Sequence, residues 1–179
     1  MATFAIDPAH TDVLFSAKHM MVTTVRGTFT DVSGSIDIDE TEPTASRAAL
    51  TVKAASVDTG FAARDTHLRS DDFFAVETYP EIRVVSTKIQ PKGGNDFVVT
   101  ADVTIKDVTR PVDFDVEFLG FYTGMDGGRR AGFSAKAKVN RKDWDLNWNV
   151  ALEAGGWLVG DQIKLDVDVA LQESIAKAA

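Results

Sequence analysis

The 179-residue sequence predicts an all-β fold of antiparallel strands around one core. Three observations carry that prediction. Apolar and polar residues alternate with a period of two along most of the chain, as they do in strands with one buried and one solvated face. Glycine-rich turns separate consecutive runs, so neighbours in sequence are expected to be neighbours in the sheet. Composition does not shift along the chain, no linker or fixed-period repeat interrupts it, and a hydrophobic content of 44% fits one domain over residues 1–179.

In order, Thr3 to Ile6 opens the set, followed by Val13 to Met20, Gly34 to Asp39 and Arg47 to Ser56. Phe61 to Phe74 breaks the alternation with the helix-compatible run FAARDTHLR, preceded by Asp58 and Thr59 as candidate N-caps, and predicts a short helical insertion. Alternation resumes in Ile82 to Ile89 and Phe97 to Ile105, joined by Lys92-Gly93-Gly94-Asn95, residues that accept positive φ at a hairpin tip. Val112, Phe114, Val116 and Phe118 interleave with Asp113, Asp115 and Glu117, and Asp126-Gly127-Gly128 turns the chain into Arg130 to Asn140. Arg141 to Gly160, rich in Trp, Asn and Gly, reads as an irregular excursion. Ile163, Leu165, Val167, Val169 and Leu171 then interleave with Lys164, Asp166 and Asp168 in the last of about eight or nine strands.

Such a set closes as two stacked sheets or as a barrel that abolishes its edges. Side-chain size favours a barrel with a cavity. Ala48, Leu50, Val52 and Ala54 form one apolar face, and Ala131, Phe133, Ala135, Ala137 and Val139 another, both rich in alanine. A sandwich core about 10 Å thick needs large interdigitating side chains, whereas a barrel of about eight strands lined by small ones leaves room for a ligand. The alternative is a packed core in which Phe15, Phe97 and Phe114 fill the space opposite those alanines.

Charge and composition exclude several functions. With 19 basic against 27 acidic residues the net charge is −8, the wrong sign for neutralising nucleic-acid phosphates, so no nucleic-acid partner is expected. The absence of cysteine removes thiolate chemistry, disulfides and cysteine-ligated metals. No stretch approaches the roughly 18 apolar residues of a membrane span, so no stable membrane insertion is expected. Met1 to Asp7 lack a basic segment leading into an apolar run, and the chain reads as cytoplasmic, or as periplasmic or secreted if a leader has been removed.

Catalytic constellations are sparse. Asp65, His67 and Ser70 share one short segment, but no Gly-x-Ser-x-Gly elbow is present, and the adjacent Asp71 and Asp72 read as capping groups. His10, His19 and His67 form neither an HxH nor an HxxxH pair, so no metal is expected. Trp144, Trp148 and Trp157 read as core or as the wall of an apolar pocket. Arg64, His67 and Arg69 are followed by Phe73 and Phe74, the layout expected where an amphiphile rests an anionic head at a rim and its tail in a cavity. Pairing of these arginines with Asp65, Asp71 and Asp72 is the plainer alternative.

Four ordered blocks then carry a resemblance: IDPAHTDVLFSAKHMMVTTVRGTF, SVDTGFAARDTHLRSDDFFAVETYPEIRVVSTKI, VTADVTIKDVTRPVDF, and NRKDWDLNWN with VGDQIKLDVDV. From about Ile6 to Leu171 the chain resembles the YceI family. The resemblance implies a lipocalin-like, extended antiparallel β-barrel of about eight strands with a helical insertion around an elongated apolar pore. It further implies a non-catalytic protein, without cofactor or metal, that carries or stores a polyisoprenoid or other long-chain lipid, such as a polyprenyl phosphate or pyrophosphate or an isoprenoid quinone. Strand parity and family block together assign Phe15, Phe29, Phe74, Phe133, Ala135, Ala137 and Trp144 to the tail, and Arg64, His67 and Arg69 to the head group. Many members carry a secretory signal, of which Met1 to Asp7 show no sign, and Asn147-Trp148-Asn149 stands where smaller residues are usual, which predicts a pore reshaped near Trp148. Two other readings stay open: an enzyme modifying such a lipid with His67 and Asp65 as acid and base, and a packed-barrel, stress-associated interaction protein. A homodimer through the surface around Trp148 and Trp157 is also expected to be feasible.

Overall fold

A computed structural model describes residues 1–175. Its strands are β1 (Ala2–Ile6), β2 (Asp12–His19), β3 (Thr23–Phe29), β4 (Val32–Ile38), β5 (Arg47–Lys53), β6 (Val57–Asp58), β7 (Glu81–Gly93), β8 (Asp96–Ile105), β9 (Val108–Thr123), β10 (Arg129–Asn140) and β11 (Val159–Glu173), with one helix, α1 (Ala62–Arg69). The hydrogen-bonded order is β1-β4-β5-β7-β8-β9-β10-β11-β2-β3-β6, and β1 also pairs with β11. The pairs β1/β2, β3/β4 and β5/β6 act as broken halves of three long strands, so eight staves close into an antiparallel barrel. This is the predicted fold class.

β11 makes the closure possible. Its first part pairs with β2, as in Leu165↔Phe15, and its last residues pair with β1, as in Leu171↔Ile6. Between them the 3-10 turn Pro8–His10 leaves the sheet, and the Asp7 carboxylate accepts from Ala9 N at 3.1 Å.

Two bulges shape the interior. On β9, Phe133↔Phe118 is followed by Gly132↔Gly120, so Leu119 is an extra residue and projects outward, 58% exposed. The extra residue reverses strand parity, so Phe118 and Phe121 both face inward, and Gly120 meets the required positive φ of 110°. On β7 the same shift at Thr87 lets Ser86 and Ile89 both face inward.

The sequence reading differs from the structure at three places. β3 was not anticipated, because TTVRGTF alternates poorly and the Met20–Met21 turn before it takes positive φ (51° and 61°) without glycine. The run Arg47 to Ser56 is not one strand; the turn Ala54–Ser56, closed by the Ser56 hydroxyl donating to Lys53 O at 2.7 Å, redirects it into β6. Neither Asp58 nor Thr59 caps α1: Phe61 holds the N-cap position, and Asp58 instead accepts from Gly60 N at 2.8 Å.

The barrel has an upper end, carrying loop 39–46 and the β7–β8 and β9–β10 turns, and a lower end, carrying α1, the β2–β3 turn and segment 145–158. The lower half is solid. Val52, Ala54, Ile82, Val103, Val112, Trp144 and Leu146 pack there, joined by Phe29, Phe74, Ala137 and Val139. A second cluster, Phe4, Ile38, Ala131, Val169 and Leu171, seals the wall beside the β1–β11 seam.

Candidate functional site

The upper half encloses a cavity of about 360 Å³. Its wall is built by inward positions of nearly every stave, including Leu50 of β5, Val84 and Ile89 of β7, Phe97 and Val99 of β8, Phe114, Val116, Phe118 and Phe121 of β9, and Val167 and Val169 of β11. The small side chains Ala48, Ala101 and Ala135 account for part of the room. Deep in the wall stand two hydroxyls, both satisfied by backbone. Thr11 Oγ1 donates to Ala170 O at 3.3 Å and accepts from Ala170 N at 3.1 Å, and Ser86 Oγ accepts from Ala48 N at 2.8 Å. The interior is therefore hydrocarbon in character.

The mouth is polar. Asp39, Glu40, Pro43, Ser46 and Arg47 reach the cavity from loop 39–46 and the start of β5. The loop is held compactly: the Asp39 carboxylate accepts from Thr41 N at 3.0 Å, Thr41 Oγ1 at 2.8 Å and Glu42 N at 2.9 Å, and Ser46 Oγ accepts from Asp39 N at 2.9 Å. These bonds, that from Glu42 N foremost, hold the Asp39 carboxyl below its ordinary range. The turn Pro43–Ala45 rests on β7. From β10, the Arg129 guanidinium grips Glu40 with both nitrogens, at 2.8 and 2.9 Å, and lies 4.0 Å above the Phe121 ring. That hydrogen-bonded pair lowers the Glu40 carboxyl and raises the Arg129 guanidinium.

Residues 4–171 match the YceI-like domain. The chain belongs to the YceI family. A UPF0312 protein of Staphylococcus epidermidis is 37% identical to this YceI chain over 167 residues, covering 93% of it and 95% of the relative. The crystal structure of a Campylobacter jejuni YceI protein is similar at 31% identity, with a TM-score of 0.73 over 88% of this chain and 90% of that one. A polyisoprenoid binding domain from Saccharophagus degradans shares the fold, with a TM-score of 0.72 at 16% identity over 97% of this chain and 99% of that one.

Of the residues expected along the tail of a ligand, Phe133 and Ala135 stand in the YceI cavity wall. The other five do not. Phe15, Phe29 and Phe74 form an aromatic chain beneath it, with ring centroids 5.4 and 5.7 Å apart, and Ala137 packs into the lower core. Trp144, 2% exposed, packs in the core below the cavity and donates Nε1–H to Val103 O at 2.9 Å, so it fills space that a tail was expected to occupy. For Phe15, Phe29 and Ala137 parity fixes the face of a stave and not its height; Phe74 and Trp144 lie in turns that parity does not govern.

The expected head-group cluster is at the lower end, away from the mouth. Arg64 donates to Thr59 Oγ1 (2.7 Å) and Thr59 O (2.9 Å), and Arg69 to Ala55 O (2.8 Å) and Val57 O (2.9 Å), so both arginines tie α1 to backbone rather than to acids. His67 Nε2 meets Asp72 at 2.7 Å and sets its ring edge-on to Trp148, 4.5 Å between centroids. Asp65 is buried and accepts from Thr59 N (2.8 Å) and Thr59 Oγ1 (2.6 Å), so it is not His67's partner. The unusual Trp148 packs on His67 and Phe73 outside the cavity.

Sequence reasoning passed over the residues of the mouth. Arg129 and Glu40 lie 89 positions apart, and no local pattern joins them. It also passed over Arg141, 4% exposed, whose guanidinium donates to Gly160 O (3.0 Å), Trp148 O (2.9 Å) and Leu146 O, fastening segment 145–158 beneath the barrel. Burial alone holds the Arg141 guanidinium below its usual value.

Proposed function

We propose that this chain binds the tail of an amphiphilic lipid of polyisoprenoid type, without catalysis, and serves to carry or store it. One observation bears most of the weight: a hydrocarbon-lined cavity whose charged groups lie at its mouth, among Asp39, Glu40 and Arg47. An amphiphile has the same polarity along its length. The fold shared with a polyisoprenoid binding domain supports the same reading.

The volume bounds the buried part of the ligand. At about 30 Å³ per non-hydrogen atom, a space of about 360 Å³ accommodates about 12 of them. Burying ten methylene equivalents contributes roughly 8 kcal/mol before the costs of association, so the tail supplies the main driving force for retention. A longer chain leaves its remainder outside the mouth.

Organic extraction of natively expressed protein followed by mass spectrometry tests the proposal. A bound isoprenoid, or uptake of added polyprenyl phosphate or quinone by extracted protein, is the expected result. An empty protein that takes up neither overturns it.

A further inference from the structure

The mouth of the cavity carries an arrangement that the tail-binding reading does not use. Glu40 lines the cavity and is held by the two-pronged grip of Arg129, which reaches it from β10. This ion pair ties loop 39–46 to the start of β10. At the start of β5 Arg47 also lines the cavity and forms no ion pair among the described residues. Asp39 has its carboxylate committed to Thr41 and Glu42 within the loop, so Glu40 is the acid in the lining free to exchange partners.

We infer that Glu40 occupies the place of the ligand's anionic head: a phosphorylated or carboxylated amphiphile enters by displacing Glu40 from Arg129, and its head then lies between Arg129 and Arg47. The inference rests on the proposed tail binding and adds the sign of the head group and the means of entry. A guanidinium fork matches a phosphate or carboxylate equally well, so one anion can replace another there at little geometric cost. The Glu40–Arg129 pair is half exposed, with side-chain exposures of 46% and 37%, and such pairs are weak enough to yield to a competing anion. Phe121 beneath the guanidinium keeps Arg129 in place when Glu40 leaves. Release of Glu40 removes the tie between β10 and loop 39–46, whose Pro43 also lines the cavity.

The test compares farnesyl phosphate, farnesol and inorganic phosphate by isothermal titration calorimetry on the full chain, as wild type, E40Q, R129Q and R47Q. The readout is the ratio of affinity for farnesyl phosphate to that for farnesol. In wild type this ratio should exceed one. In E40Q it should rise roughly tenfold, because the competing carboxylate is gone; in R129Q it should collapse toward one, with R47Q between. Inorganic phosphate alone should bind at least a hundredfold more weakly than farnesyl phosphate, which separates a head group anchored by its tail from a free-anion site. A ratio that is unchanged or falls in E40Q, or survives R129Q, overturns the inference while leaving tail binding intact. If neither farnesyl compound binds any variant, tail binding itself fails and the inference falls with it.

Discussion

Trp144 belongs to the core cluster below the cavity, which shares Val52 with the cavity wall, and its removal should cost stability and change ligand preference together. An indole buries about 200 Å², which at about 25 cal/mol per Å² contributes roughly 5 kcal/mol. Trp144→Ala retains only the Cβ share of this, about 1 kcal/mol, and also loses the hydrogen bond to Val103 O, worth about 1 kcal/mol. A destabilisation of about 4–5 kcal/mol follows, in line with the range for large-to-small core changes. For a chain of 179 residues that corresponds to a fall in Tm of roughly 10 to 15 °C. Trp144→Phe keeps most of the area, and should lose about 1–2 kcal/mol through the unpaired carbonyl. The assay is urea denaturation of both variants beside a chain-length series of prenyl alcohols. In Trp144→Ala the preferred chain should lengthen, because the vacated indole volume adds space in the cluster behind Val32 and Val52, which line the cavity. A loss below about 1.5 kcal/mol in Trp144→Ala, or an unaltered chain-length preference, would refute the reasoning.

Ala135→Phe projects a ring into the cavity, so lipid uptake should be abolished while stability changes by less than about 1 kcal/mol, since the ring enters vacant space; loss of folding would show the space is already filled. Arg141→Met leaves the carbonyls of Gly160, Leu146 and Trp148 without their donor and should cost about 2–4 kcal/mol, with amide exchange rising first in 145–158; Lys142→Met, exposed beside it, should cost less than about 0.5 kcal/mol. Acid should destabilise the protein: Asp7, bonded to His10, Glu40, bonded to Arg129, and Glu81, bonded to Lys53, all titrate below their ordinary values in the fold. Their stabilisation is complete above the unfolded carboxylate range of about 4 and is lost as pH falls through the lower folded values, so Tm should drop between about pH 5 and 3, and a flat profile there would contradict the assignment.

The barrel was legible because two-residue alternation is a local property, and strands such as Val112 to Phe118 and Ile163 to Leu171 show it without interruption. What failed were features set by several staves at once. Parity correctly turned Phe133 and Ala135 inward, but it did the same for Ala137, and only the position of Trp144 across the barrel decides which of them meets empty space. Alanine likewise marks two different surroundings: Ala48 and Ala135 border the cavity, whereas Ala54 and Ala131 are covered by packed neighbours. Arg64 and Arg69 looked like ligand groups because charge is visible in sequence, while the backbone carbonyls that engage them are not. Parity also inverts at Leu119, where Gly120 was the one local sign that Phe121 would join Phe118 at the cavity.

The closure through β11 has a consequence for how the chain is made. Phe4 pairs with Glu173, so the first and last staves of the described fold meet only when nearly all of the sequence is available. Until then β10 and the β1/β2 pair present two unpaired edges, and the apolar interior is an open trough. Contacts this distant in sequence form slowly, and exposed edges during synthesis favour association between nascent chains. Loss of the segment from Val159 onward would therefore remove more than one strand: it would fix the molecule in its most adhesive intermediate, and truncated products of this sequence should be recovered as aggregates rather than as shortened barrels.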